Sequence, residues 1–299
     1  MNIGIVVFAF NRPALLNDSL SSLLKTHNIN EYPVMVFVDG PRNSRDSVLI
    51  EETIKVIKSH DMANLVLKVS PVNIGLANSV VRGVTEAFNT YDALIVLEDD
   101  LVYSPNFIDY MVKSLEKYKS EGKVGSISGY SFEVGKKNNA DNYFHPRPSS
   151  WGWATWEDRW NKICWNSKEY DTSLMNMCRF SKNGQDLPRM LKDTISGVRS
   201  SWAICWAYKH FDFDWVCSYP FTSMVDNDGF GDDATNCKGS NQFKSSFMNS
   251  FYDKWVFEDT VVVDQRIKRK FNSYNSNYTK IKGRIKNLLG FLHKYGWKY

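Results

Sequence analysis

Ala93-Leu94-Ile95-Val96-Leu97-Glu98-Asp99-Asp100 is an apolar run that passes without a break into three carboxylates. A run this short, with no polar alternation, is a strand covered on both faces, as in a parallel sheet. Three adjacent acids at the end of such a strand are costly alone, so the pattern predicts a cationic partner beside them. Runs of the same kind occur at 3–10, 34–38, 65–69 and 124–127. Between the runs, 14–25, 45–59, 76–89 and 105–119 have helical spacing; Phe107, Met111, Leu115 and Tyr118, for example, fall three or four apart. Ser104 and Pro105 are the expected N-cap and first-turn proline of the last of these helices. The alternation predicts an α/β fold with a Rossmann-like, mainly parallel sheet and helices on both faces.

In such a sheet ligands bind beyond the carboxyl ends of the strands. The residues expected there are Asn11-Arg12-Pro13, Asp39-Gly40-Pro41-Arg42, Asn73-Ile74-Gly75 and Glu98-Asp99-Asp100. An aspartate beside a glycine can accept a hydrogen bond from a base or ribose. An Asn-x-Gly turn before a helix lets backbone come close to a ligand. Clustered carboxylates are hard oxygen ligands that suit Mg²⁺ or Mn²⁺, ions that bridge diphosphates. Any one of these pieces alone would pass for a turn or a solvated loop. All four at one sheet edge point to a nucleotide diphosphate.

The chain has 299 residues, 43% hydrophobic and 23% charged, which is the composition of a globular protein. No apolar run reaches the roughly 18–20 residues of a membrane-spanning helix. The longest, 3–10, lacks the preceding positive charge and following cleavage site of a signal peptide, so a cytoplasmic location is expected. Five cysteines, odd in number and without paired spacing, are expected as reduced thiols. The net charge of +4 is unevenly distributed. Residues 265–299 hold ten of the 37 basic residues and none of the 33 acids, leaving the first 264 residues at 27 against 33, or −6. An acidic body of this kind argues against a nucleic-acid enzyme.

Taken with their order, these motifs resemble the GT-A glycosyltransferases, specifically the large family-two-like group that uses nucleotide-diphosphate sugars. Val96-Leu97-Glu98-Asp99-Asp100-Leu101 resembles that group's DXD-type strand end and is similar to the EDD form of N-acetylglucosaminyltransferase I. Asn73-Ile74-Gly75-Leu76 resembles the segment lying over the nucleotide. His145-Pro146-Arg147-Pro148-Ser149-Ser150-Trp151-Gly152-Trp153-Ala154-Thr155-Trp156 is similar to a block of bacterial surface-polysaccharide transferases, and Gly229-Phe230-Gly231-Asp232-Asp233-Ala234-Thr235 to a late motif of the same proteins. The resemblance covers roughly residues 1–240.

It implies roles by position. Asp39 would contact the nucleobase, with Asn11, Arg12, Asn73 and Gly75 nearby. Asp100 would be the principal metal ligand, with Glu98 as a second, and Asp99 would hold the ribose or a metal-bound water. Trp153 would border the donor sugar, and Trp151 and Trp202 the acceptor. Five tryptophans lie within residues 151–165, and indoles bury the apolar faces of sugars well. Two positions depart from the pattern. Ala203 stands where many relatives have an aspartate that could act as base, and Asn236 where a histidine could ligate the metal. Asn236 therefore becomes the candidate ligand there. Asp233 becomes the leading candidate base, with Asp214 second.

The implied activity is a metal-dependent, inverting hexosyl or N-acetylhexosaminyl transfer from a nucleotide sugar, UDP ahead of GDP or dTDP. The acceptor would be a glycan or a polyprenyl-diphosphate-linked oligosaccharide. Two alternatives stay open: a degenerate transferase that binds without turnover, and a sugar-nucleotide pyrophosphorylase. The second would need a glycine- and lysine-rich loop where Phe8-Ala9-Phe10-Asn11-Arg12 stands. The expected layout is a transferase domain over 1–264, with a nucleotide-binding half (1–130) and an acceptor-binding half (131–264), followed by a basic amphipathic helical tail over 265–299. In the tail Ile281, Ile285, Leu288, Leu289 and Leu292 recur at helical spacing among lysines and arginines. Such a helix suits the anionic inner face of a membrane; the alternative is a helix packed on the body.

Overall fold

A computed structural model describes residues 1–62, 64–136, 139–229 and 245–276. The first half alternates strand and helix: β1 (Ile3–Ala9), α1 (Pro13–Leu23), β2 (Val34–Val38), α2 (Ser44–Ser59), β3 (Leu65–Val69), α3 (Leu76–Ala87), β4 (Ala93–Glu98), β5 (Leu101–Tyr103), α4 (Phe107–Tyr118) and β6 (Val124–Ser128). Then come β7 (Asn142–His145), β8 (Trp153–Trp156), α5 (Glu157–Trp160), α6 (Leu174–Ser181), α7 (Leu187–Ile195), α8 (Trp202–Asp212), β9 (Val216–Pro220), β10 (Val225–Asn227) and α9 (Gln265–Tyr274). The five expected strands all form, each within a residue or so of its apolar run.

Among the described residues the main sheet has eight strands in the order β3-β2-β1-β4-β8-β6-β9-β7. Strands β3, β2, β1 and β4 are parallel, β8 runs against both β4 and β6, and β9 parallels β6. The sheet is therefore mixed and mainly parallel. The chain leaves β1 toward β2 on one side and β4 lies on the other, so the order reverses between β1 and β4 and opens a crevice at their carboxyl ends.

Strand side chains alternate between two cores. Ile5, Val7, Ile95 and Leu97 join α1, α2 and α4 on one face. Val6, Phe8, Leu94 and Val96 join α3, α8 and a cluster of five buried tryptophans on the other. Continuous apolar runs are the result, since neither face meets water.

Two expectations change, at the start of α4 and at the 264/265 boundary. Helix α4 begins at Phe107, two residues later than Ser104-Pro105 implied; Ser104 Oγ accepts the Asn106 N–H at 3.3 Å instead of capping a helix. Asn106 is the N-cap residue, but its amide is taken by the returning chain, donating to the Ser250 carbonyl at 2.6 Å and accepting the Tyr252 N–H at 2.9 Å. The division at 130/131 does not separate two bodies, because β8 inserts between β4 and β6. Nor does 264/265. Helix α9 buries Ile267 and Phe271 in the main core, with the Phe271 ring stacked 3.8 Å from His145. Residues 265–276 thus belong to the body, while 277–299 lie outside the described residues. Among the described residues no helix is long and apolar enough to cross a membrane.

Candidate functional site

One residue links the two strand ends that flank the crevice. Pro13 opens α1, which leaves Arg12 at the N-cap position, directly beyond β1. Its side chain crosses to the end of β4. Nη2 and Nε donate to the two oxygens of Asp99, and Nη1 donates to Asp100 Oδ2 at 3.0 Å. Asp99 and Asp100 are both buried, and Glu98 is half-buried. The expected cationic partner is therefore an arginine of the same chain. Burial raises the Asp99 carboxyl to about 6 against the opposing pull of Arg12. Burial, then the charges of Asp100 and Asp99, lift Glu98 to about 8. The two carboxylates in turn hold the Arg12 guanidinium more firmly charged, despite its own burial.

The late chain returns to this point. Strand β10 pairs antiparallel with β5, which places the Asp228 N–H 2.9 Å from the Asp100 carbonyl. Gly229 then packs on the Asp100 side chain, and a Cβ there would lie 2.2 Å from Oδ2. Asp100 Oδ1 is buried and has no hydrogen-bond partner among the described residues. That orphaned oxygen tests whether a divalent cation fits. Two buried carboxylates share one guanidinium beside Glu98, and the unpartnered atom is a hard oxygen, so the donor set fits a cation held at Asp100. Among the described residues no group of three ligating side chains is gathered for it.

Beyond β2, Asp39 is buried and saturated. Oδ1 accepts the N–H groups of Gly40 (2.9 Å) and Ile74 (3.0 Å); Oδ2 accepts from Asn73 Nδ2 (3.1 Å) and the Gly75 N–H (2.9 Å). Asp39 was expected to read a nucleobase. In this structure its acceptor capacity is spent on fixing the Asn73-Ile74-Gly75 loop, a use that needs four donors at once. Gly75, at φ +77, faces open space at the start of α3, whereas a Cβ on Gly40 would lie 2.3 Å from the Val72 backbone.

Asp46 was missed by sequence reasoning. It lies in the first turn of α2, whose N-cap Asn43 accepts its N–H. Its carboxylate accepts from Asn11 Nδ2 at 2.7 Å and from Arg42 Nε at 2.7 Å, and the Arg42 bond holds it at about 2. Arg42 lies 4.8 Å over the Phe10 ring. The sequence placed Asp46 within the helical stretch 45–59 without singling it out; its partner Asn11 is 35 positions away.

The tryptophan-rich block serves packing more than recognition. Trp153, expected at the donor sugar, is fully buried, its ring 5.1 Å from Trp202, 5.5 Å from Trp206 and 6.0 Å from Trp160. Trp202, expected at the acceptor, is buried in the same cluster. Both correct the sequence reading: β8 threads the sheet centre, its Trp153 faces α3 and α8, and Trp202, at the start of α8, packs onto Trp153 from that side. Arg147 of the same block pairs with Asp186 at 2.7 Å beside the start of α7. Trp151 alone of the expected trio stays half-buried, edge-on to Tyr130 at 4.7 Å.

Asp214 is also corrected. Expected as the second candidate base, it occupies a left-handed turn (φ 54) before β9. Strands β4, β6 and β9 point the same way, so Asp214 stands at the amino edge, opposite Asp100. Asp233 and Asn236 lie outside the described residues. A polar cleft lined by Ser181, Lys182, Gln185, Arg269, Asn272 and Ser276 shares no residue with the carboxyl-edge cluster.

Known structures with similar folds include the mannosyltransferase PcManGT of Pyrobaculum calidifontis, solved with GDP-Man and Mn²⁺: 16% identity, 44% of this chain and 36% of that one covered, TM-score 0.35. They also include S. aureus TarS 1-349, at 11% identity, 77% and 61% coverage and a TM-score of 0.45. The same protein with UDP matches at 14% identity, 47% and 39% coverage and a TM-score of 0.32. This chain thus spans between about a third and three fifths of those neighbours' lengths. No curated protein matches it. The profile described as glycosyl transferase family 2 matches residues 4–181, more than half of the 299 and inclusive of Arg12, Asp39, Asn73 and Glu98–Asp100. By that match the chain belongs to glycosyl transferase family 2.

Proposed function

We propose that this protein transfers a hexosyl or N-acetylhexosaminyl group from a nucleoside-diphosphate sugar, UDP-linked first among the candidates, to a glycan or a polyprenyl-diphosphate-linked oligosaccharide. The observation that carries the reading is the Arg12–Asp99–Asp100 cluster at the β1/β4 crevice of a family 2 chain. The nucleotide would lie across the carboxyl ends of β1, β2 and β4. Asn11, held by Asp46, and the Asp39-fixed loop would form its base side.

Asp100, with Glu98 beside it, would hold Mn²⁺ or Mg²⁺, and Asn236 is the proposed further ligand. Such an ion offsets the charge of the departing diphosphate. Arg12 supplies a fixed positive charge at the same place, and a guanidinium binds phosphate and carboxylate oxygens equally well. Asp233 is the proposed base, drawing the proton from the acceptor hydroxyl as that oxygen displaces the diphosphate with inversion. Its support is the entry of the late chain against Asp100 at Gly229, four residues earlier. Trp151, half-buried and braced edge-on by the buried Tyr130, offers an indole face for an acceptor ring. Residues 265–299 are the proposed contact with an anionic membrane face, a role that falls to 277–299 because α9 faces the core.

The test is release of nucleoside diphosphate from a panel of sugar nucleotides with Mn²⁺ and polyprenyl-linked glycan acceptors. Turnover lost in Asp100→Asn supports the reading. Turnover that ignores Asp100, or binding without turnover across the panel, rejects it.

A further inference from the structure

Arg12 and Asp100 raise a problem that a static ion pair does not solve. One guanidinium spans two carboxylates, with one nitrogen pair on Asp99 and Nη1 on Asp100 Oδ2. On its far side Asp100 Oδ2 abuts Gly229, where even a Cβ would collide. Oδ2 thus has two neighbours, which leaves Oδ1, buried and without a partner among the described residues. A divalent cation at Oδ1 would lie on the carboxylate that already carries Arg12. Two cations would then share Asp100 at low local dielectric, and each would weaken the hold of the other.

A diphosphate changes this balance. Its oxygens match the fork of a guanidinium as closely as a carboxylate does, and they carry enough charge to satisfy Arg12 and a metal ion together. Arg12 is about a quarter exposed, at 24% of its side chain, and lies just beyond the carboxyl end of β1, on the edge where a diphosphate would bind. On the reading of the site as a nucleotide-sugar site, we propose that Arg12 is an internal counterion that competes with divalent metal for Asp100, and that the donor's diphosphate draws it off. Metal and nucleotide then bind cooperatively, with Arg12 as the coupling residue. The geometry makes metal binding conditional on the donor.

The experiment titrates Mn²⁺ alone, followed by the loss of the free-ion paramagnetic resonance signal, into the wild-type chain, Arg12→Gln and Arg12→Lys, and repeats each titration with UDP. Wild type should bind Mn²⁺ weakly alone. Arg12→Gln should bind Mn²⁺ alone about tenfold tighter or more, and should lose most of the enhancement by UDP that wild type shows. A role confined to supporting the fold would weaken binding, not strengthen it. Should Arg12→Gln fail to fold, Arg12→Lys is read in its place; its single ammonium cannot bridge both carboxylates, so it should also bind Mn²⁺ more tightly than wild type. Mn²⁺ affinity unchanged or reduced in the folded variants overturns the proposal, as does absence of Mn²⁺ binding in all three. If nucleotide binding depends on Asp100 but Mn²⁺ ignores Arg12, only this proposal falls. If Asp100→Ala changes no binding at all, the donor-site reading falls with it.

Discussion

Asp39 Oδ2 accepts the backbone N–H of Gly75 at 2.9 Å, and through this bond the end of β2 fixes the start of α3. Together with the three other bonds to Asp39 it makes the loop over the crevice a rigid object. In Asp39→Asn the amide would face four donors with only one acceptor oxygen. The expected cost is about 2–4 kcal/mol in denaturant unfolding, from hydrogen bonds to a charged group that can no longer form. Nucleotide affinity should fall as the loop loosens. A variant as stable as wild type but unable to bind nucleotide would instead return Asp39 to the base-reading role expected from the sequence.

Gly229 should be replaceable for the fold but not for the site. The Cβ of Gly229→Ala meets Asp100 Oδ2 at 2.2 Å, so the carboxylate must turn away. Misplacing a ligating group by about an ångström costs on the order of 100-fold in function. The expected result is a strong loss of Asp100-dependent diphosphate binding, read by calorimetry, with little change in the thermal midpoint.

The indoles divide into two classes by burial. Trp153→Ala opens a cavity at the centre of the sheet and should cost about 3–5 kcal/mol. Trp151→Ala should cost much less stability and act on KM for the acceptor, leaving KM for the donor near its original value. Denaturant unfolding of the two variants beside steady-state kinetics separates the classes.

His210 makes stability depend on pH. It is buried and neutral, with Ser126 Oγ 2.9 Å from Nε2 and the Trp206 carbonyl 3.1 Å from Nδ1, and burial pushes it down to about 3. Its folded value lies below the unfolded one, so its stabilising contribution is present above about pH 6.5 and lost as pH falls toward 3. Between pH 7.5 and 5 the unfolding free energy of wild type should drop by about 2 kcal/mol more than that of His210→Gln. Equal drops in the two proteins would place the proton elsewhere.

The proposed membrane contact has a separate test. Deleting 277–299 leaves α9 and its buried Ile267 and Phe271 in place, so the body should fold as before. Sedimentation with anionic phosphatidylserine vesicles should be lost, and retention would assign any such contact to the body.

The parallel half of the fold was legible because strands buried on both faces leave uninterrupted apolar runs such as 93–97. Strands β7 and β8 were not legible. Asn142-Tyr143-Phe144-His145 and Trp153-Ala154-Thr155-Trp156 are short and mixed, and indoles that pack a core resemble indoles that hold a sugar. Arg12, Asp39, Asn73, Gly75 and the three acids were placed at one edge because each follows a strand of known direction. What they do to one another was not legible. The Arg12–Asp99 bond spans 87 positions and the Asn73–Asp39 bond 34, and no local pattern encodes such partners. Asp214 was misjudged for the same reason: no local pattern shows that the left-handed turn after α8 stands at the amino edge, away from Asp100.

The most direct test of the donor site is calorimetric titration of UDP, GDP, dTDP, CDP and ADP, with and without Mn²⁺, into the wild-type chain and Asp100→Ala. The structure predicts that one diphosphate binds tightly, that binding needs Mn²⁺, and that Asp100→Ala abolishes it. Binding indifferent to both the metal and Asp100, or no binding of any of the five, would contradict the assignment of the β1/β4 crevice as a nucleotide-sugar site.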